Sequence, residues 1–468
     1  MTNTPSFTLA RDSGEPLCDQ IVRSVALRVD SRLLHAGARM PSIRRFAVSH
    51  GVSPFTVVAS YDRLVAQGYL ESRRGAGFFV RERQPAIAPQ LLQAAAPPPT
   101  LDIAWLVRSM FNQAPLGSTP GSGVLPAGWL DGAAVANALR AISRQNGDGL
   151  LNYGTPQGFL PLRQQLQRKL AALEIEAAPE QLVTTLGVTQ AIDLVAREFC
   201  QPGDTVLVDD PAWFLMFGSF AALGLKVLGV PRMADGPDLA QLEQLAALHR
   251  PRLFVLNSVL HNPSSTSISA AKAFQVLRLA EQHDFMVVED DIYCDLHPGG
   301  ATRLAALDGL RRVIYLGGFS KSMAANLRVG FVAASSERAA RLADRKMLAT
   351  LTTSDIGERV VYKILAEGHY RKHLDRVRAR LDAARPPALR RLETLGMRVE
   401  PAPAAGMFLW VDAGCDTNLL AARAQQQGLL LAPGSLFSPS QQPSSRMRLN
   451  VAALQDPTVL RFLETRPA

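Results

Sequence analysis

The stretch YLGGFSKSMAANLRVGF, residues 315–331, is apolar and glycine-rich apart from Lys321 and, seven places later, Arg328. A lysine in a glycine-lined, strand-to-loop setting loses hydration, which lowers its pKa and leaves a nucleophilic amine near neutral pH. That is what a Schiff base with an aldehyde requires. An arginine close by suits an anionic group on the same ligand. An aldehyde cofactor with a charged ring asks for more: a carboxylate at the ring nitrogen, a donor to the ring oxygen, an aromatic face and a phosphate cradle.

Each has a candidate. VVEDDIYCDL sets Asp290 and Tyr293 three apart at the end of an apolar run, and HNPSS places Asn262 before a proline. DDPAWF offers Trp213 as an aromatic face. TTLGVTQAIDLV reads as a glycine-containing helix start, where the N–H groups of Gly187, Val188 and Thr189 can hold phosphate oxygens with help from the helix dipole. NYGTPQG carries Tyr153 and RMRLNVA carries Arg448. Singly, each has a plainer reading: Asp290 can cap a strand end, Trp213 can be core, and a lysine between serines is ordinarily a surface residue. Their order along the chain is far more specific.

In that order the segments resemble the fold-type I aminotransferases of class I/II, over about residues 120–460. The resemblance implies pyridoxal 5′-phosphate (PLP) on Lys321, with Asp290 holding the pyridinium proton and Tyr293 and Asn262 bonding the ring oxygen. It further implies Arg328 on the phosphate, Tyr153 reaching that phosphate from a second subunit, and Arg448 gripping a substrate α-carboxylate through paired hydrogen bonds. There are two departures. Gly318 stands where the family commonly has Ser or Thr touching phosphate, leaving Ser320 or Ser322 as replacements, and Ser264-Ser265 follows Asn262-Pro263 in place of Thr-Gly.

The elements that position these residues are legible too. Apolar runs at 204–210, 251–259, 284–291 and 311–319 alternate with amphipathic stretches such as 269–284. Buried strands alternating with helices predict an α/β layer with a mainly parallel sheet. No internal repeat is present. Four well-separated cysteines without a C-x-x-C pair point to buried free thiols rather than a zinc site or disulfides.

The first eighty residues differ in kind. EPLCDQIVRSVALRVDSRLL has Leu17, Ile21, Val25 and Val29 at helical spacing. A short helix from Ser42, a turn at Gly51, a second helix capped by Ser53 with Pro54 in its first turn, and a hairpin around Gly75 and Gly77 follow. That succession predicts a winged helix-turn-helix. Residues 1–83 hold twelve Arg and no Lys against seven acidic residues, so +5 of the net +9 lies in under a fifth of the chain. Arg44, Arg45, Arg73 and Arg74 suit phosphates, while Phe55 and Thr56 suit base edges or a thymine methyl group. This segment resembles the GntR family of bacterial repressors, with Ser53-Pro54-Phe55-Thr56 where the family usually has Ser-Arg-x-Thr.

Between the two parts, QPAIAPQLLQAAAPPPT (84–100) is uncharged and rich in Pro and Ala, and reads as a linker. The expected organisation is a DNA-binding domain over 1–83, a linker over 84–119 and a PLP-binding domain over 120–468. The whole resembles a MocR-type regulator, implying a homodimer, with each head over the other subunit's large domain, on a paired double-stranded DNA operator. The effector would be a small amino compound or PLP itself. A working aminotransferase with an added DNA-binding module is the alternative, and a DNA-binding scaffold with an empty site is a third. No apolar run reaches membrane-spanning length and no signal peptide is evident, so a cytoplasmic location is expected.

Overall fold

The computed structural model describes residues 9–11, 13–81, 119–144 and 151–466. The chain divides into two compact units, Met1–Pro98 and Pro99–Ala468. Of the segment read as a linker, only Thr119 is among the described residues.

In the first unit, α1 (Leu17–Asp30), α2 (Ile43–His50) and α3 (Pro54–Ala66) precede a hairpin of β1 (Leu70–Arg73) and β2 (Gly77–Val80). Ile21 and Val25 of α1 pack with Phe46, Val57, Tyr61, Leu64, Leu70 and Val80, all essentially inaccessible. Ser42 and Ser53 cap α2 and α3 by accepting the N–H groups of Arg45 and Thr56, as their spacing predicts. Gly51 takes the left-handed conformation, φ 63°, that ends α2. Gly77 opens β2, opposite Arg73, rather than lying in the turn.

The second unit is built on an eight-stranded sheet of β3 (Leu182–Thr185), β4 (Thr205–Asp210), β5 (Lys226–Met233), β6 (Gly236–Pro237), β7 (Leu253–Leu256), β8 (Met286–Asp290), β9 (Val313–Gly318) and β10 (Gly330–Ala333). The spatial order is β3-β10-β9-β8-β7-β4-β5-β6. Strands β9, β8, β7, β4 and β5 run parallel, and β10 pairs antiparallel with both β9 and β3. Alternation divides the core between two faces. Val206, Val208, Val255, Val288, Ile314 and Leu316 join one cluster, while Leu207, Phe254, Val287, Val313 and Tyr315 join the other.

A second sheet, absent from the sequence reading, contains β11 (Arg398–Val399), β12 (Phe408–Asp412), β13 (Ala432–Pro433) and β14 (Arg446–Asn450), all antiparallel, in the order β11-β12-β14-β13. Among the described residues no helix is long and apolar enough to cross a membrane, and no acidic, histidine and cysteine cluster has the makings of a metal site. All four cysteines are free; Cys200 and Cys294 are buried as expected, but Cys18 and Cys415 are only half-buried.

Candidate cofactor and ligand site

The site forms where α/β sheets ordinarily bind ligands, at the carboxyl edge of the strands. Asp290 ends β8, Lys321 lies three residues past β9, Asn262 follows β7, Trp213 follows β4, and Gly187 follows β3 at the start of α4 (Gly187–Phe199). Arg448 enters from the small sheet, in β14.

Lys321 Nζ donates to the carbonyl of Gly123 at 2.8 Å. Burial, and then the charges of Arg448 and Arg328, bring its pKa down to about 8, although Asp290 pulls the other way. Burial pushes Asp290 up to about 7, against the opposing influence of the Ile292 N–H. A cation beside its carboxyl group would return it to the carboxylate form. Tyr293 is buried, its phenol pushed up by burial and hydrogen-bonded to Asn262.

Arg448 is 2% exposed, its guanidinium 4.5 Å from the Phe408 ring centre and 5.0 Å from that of Phe437. It donates to Asn262 Oδ1 at 2.9 Å and to the Gly121 carbonyl at 2.6 Å, but its Nε has no partner. Burial lowers its pKa to about 10. A buried guanidinium served only by neutral acceptors is poorly compensated, which a carboxylate ligand corrects.

The start of α4 carries no side-chain cap: Leu186 at the N-cap supplies none, so the first N–H groups of this 13-residue helix, Gly187, Val188 and Thr189, keep their donors. Gly187 has φ +77°, and a Cβ there would lie 3.0 Å from Arg328 Nη2, which donates to the Leu186 carbonyl at 2.8 Å. Ser320 is half-buried. Ser322, the other hydroxyl considered for phosphate, is engaged elsewhere, with Asp295 Oδ2 at 3.1 Å and the Tyr370 hydroxyl at 2.6 Å. Trp213 is half-buried against the core cluster that holds Tyr293 and Phe408. Tyr153 is 83% exposed and touches none of these groups.

In the first unit, Arg44, Arg45, Arg73, Arg74, Ser53 and Phe55 are exposed and Thr56 is half-buried. Arg73 is held by Glu71 at 2.6 Å and lies 4.5 Å over the Phe79 ring. The Ser53 and Thr56 hydroxyls bond one another at 2.8 Å.

Residues 121–465 match the family description "Aminotransferase class I and II". The chain belongs to that family. Residues 17–80 match "Bacterial regulatory proteins, gntR family", so this class I and II member carries a GntR helix-turn-helix ahead of its aminotransferase fold. PLP is the cofactor that membership implies. It is 26% identical over 461 residues to the uncharacterized HTH-type transcriptional regulator YdfD of Bacillus subtilis, covering 94% of each chain. It is 33% identical over 334 residues to 2-aminoadipate transaminase of Thermus thermophilus, covering 68% of this chain and 81% of that one. Among solved structures, LysN, an α-aminoadipate aminotransferase from Thermus thermophilus complexed with N-(5′-phosphopyridoxyl)-L-leucine, aligns with TM-score 0.70 at 28% identity, covering 77% of this chain and 93% of that one.

Two supports of this aminotransferase-like site escaped the sequence reading. One is the strap 119–125: Arg448 bonds Gly121, Lys321 bonds Gly123, and Asn450 Nδ2 donates to the carbonyls of Ser122 at 3.2 Å and Val124 at 2.8 Å. A Cβ at Gly121 would lie 2.4 Å from the Ala432 nitrogen, so only glycine fits; the glycines of TPGSGV were the available signal. The other is Asp295, which joins Lys169 of α5 (Leu160–Ala171), Ser322 beside Lys321, and Tyr370. Burial works against its charge, but Lys169 and the two hydroxyls outweigh it and hold Asp295 below the usual carboxylate range. Its place two residues after Tyr293 gave no hint of this.

Proposed function

We propose that this protein is a DNA-binding transcriptional regulator whose large domain holds PLP on Lys321 and senses a small amino compound bearing a carboxylate. One observation carries the reading: a lysine with a depressed pKa and a buried arginine with an unpaired N–H are tied to the same strap, residues 119–125, which in sequence directly follows the segment joining the large domain to the DNA-binding one. The donor set fits the cofactor. Bound there, PLP supplies an aldehyde for reversible exchange with primary amines and an electron-withdrawing ring.

The residues then divide the work. Lys321 presents its amine, about half neutral near pH 8, and would take up or release the proton that exchange of primary amines requires. Asp290 holds the proton on the ring nitrogen, Tyr293 and Asn262 bond the ring oxygen, and Trp213 covers the ring. Gly187, Val188, Thr189, Ser320 and Arg328 hold the phosphate, joined by Tyr153 of a second subunit in a homodimer with exchanged heads. Arg448 takes the effector carboxylate. That carboxylate competes with the Gly121 carbonyl for the guanidinium, so occupancy is felt by the strap. On DNA, Arg44, Arg45, Arg73 and Arg74 contact phosphates, Ser53 holds the helix start, and Phe55 and Thr56 face the bases. Domain limits of 1–83 and 120–468 with a linker over 84–119 suit this division.

The test is an absorbance titration of purified protein with PLP, followed by amino acids while operator binding is recorded. A long-wavelength band lost in Lys321→Ala, and a DNA response that disappears with it, is expected; a colourless protein with an unchanged response overturns the reading. The complete set of groups for amino transfer favours a second reading, a working aminotransferase with a DNA-binding module. Rapid multiple turnovers on an amino-acid and keto-acid panel would select it.

A further inference from the structure

A helix in the major groove reads bases through the few side chains on its outward stripe, mostly near its amino end. On α3 the exposed positions are Pro54, Phe55, Val58, Asp62, Arg63 and Ala66. Arg63 is drawn off the stripe by Asp19 of α1. The Ser53 and Thr56 hydroxyls are engaged with each other and with the cap of the helix. The first two turns therefore offer bases no guanidinium and no amide, the groups that read guanine and adenine through paired hydrogen bonds. They offer Phe55, 82% exposed, and Val58, 37% exposed one turn later on the same side.

The surroundings decide what covers this apolar spot. Neither α2 nor α3 has an acidic residue in its first turn. Arg44 and Arg45 are exposed at the start of α2, and Arg73 and Arg74 at the hairpin end. An apolar spot on a helix of a domain with exposed arginines complements a groove whose floor carries methyl groups and whose rims carry phosphates, whereas an apolar protein surface would offer the charges of Arg44 and Arg74 nothing.

We propose that α3 reads sequence chiefly by apolar contact with thymine C5-methyl groups, through Phe55 and Val58, so that the operator half-site carries thymine where this helix meets the groove. This rests on the DNA-binding reading above. Its test separates the two. The full-length, PLP-loaded chain is used to enrich binding sites from a random duplex library at fixed salt. The enriched duplex is then remade with uracil for thymine, one position at a time, which removes only the methyl group.

At one or more positions per half-site, uracil should weaken binding about fourfold, the effect of ~0.8 kcal/mol for one buried methyl. Phe55→Ala should weaken binding to the thymine duplex and leave thymine and uracil indistinguishable at that position. Because Phe55 is so exposed, the variant should keep the wild-type circular dichroism and its low-salt, non-specific DNA binding. If the wild type binds thymine and uracil duplexes equally, or if no sequence is enriched while non-specific binding persists, the inference is overturned and DNA binding stands. A change of oligomeric state in Phe55→Ala without loss of thymine discrimination assigns the residue to a protein contact and also overturns it. Failure to bind any duplex removes both readings.

Discussion

At the scale of single residues, the reactivity of Lys321 is set by a balance of neighbours. Burial, Arg448 and Arg328 favour its neutral form, and Asp290 favours the charged one. In cofactor-free protein the rate of PLP capture should rise with pH as the amine deprotonates, reaching half its maximum near pH 8. Arg448→Met removes a repelling charge and should move that midpoint up. Asp290→Asn removes an attracting one and should move it down. Stopped-flow absorbance across pH measures both, and shifts of the same sign would contradict the balance described. Lys321 itself was legible because its chemical type clashes with its apolar context. The buttress Asp295 was not, since an aspartate in DDIYCDL looks no different from its neighbours until Lys169 and Tyr370 are seen on either side.

At the scale of elements, a buried polar cluster joins β3 to two helices behind the cradle. Lys346 of α6 (Ser336–Thr350) is wholly buried, donating to Thr353 Oγ1 at 3.1 Å and Thr184 Oγ1 at 3.3 Å. Glu358 of α7 (Asp355–Ala366) accepts from Thr184 Oγ1 at 2.7 Å and the Phe159 N–H at 2.6 Å. Burial lowers Lys346 to about 8, with Glu358 opposing. The folded pKa lies below the unfolded one, so between about pH 8 and 10.5 the unfolded chain binds more protons and the lysine's contribution to stability rises with pH. Relative to Lys346→Met, the wild type should therefore gain ~3 kcal/mol across that window, as measured by urea unfolding at each pH. A flat difference would mean that folded Lys346 keeps its proton across the window, so that burial does not lower its pKa. The helix caps at Ser42 and Ser53 were readable because capping is local, whereas the pairing of Lys346 with Thr184 spans 162 residues.

At the scale of the whole molecule, each unit has its own core, from Ile21 to Val80 in the first and on both sheet faces in the second. Expressed separately, residues 99–468 should bind PLP with the absorbance of the full chain, and residues 1–98 should retain duplex binding. The amino-compound response of DNA binding should be lost in the mixture, because the strap at 119–125 is no longer continuous with the head. Absorbance and electrophoretic mobility shift measure the two halves, and a response that survives separation would rule out transmission along the chain.

Local pattern and residue chemistry, present in the sequence alone, determined the alternation of strands and helices and the winged head, and their order along the chain singled out Lys321, Asp290, Tyr293, Asn262 and Arg448 as candidates, because each segment is read within a few neighbours. Tertiary structure alone decided the four-stranded sheet that delivers Arg448, the bond from Arg448 to Gly121 across 327 residues, and the diversion of Ser322 from phosphate to Asp295. Two-residue strands such as β11 and β13 are too short for any periodicity to register. Contacts across hundreds of residues depend on how the two sheets pack, which no local spacing encodes.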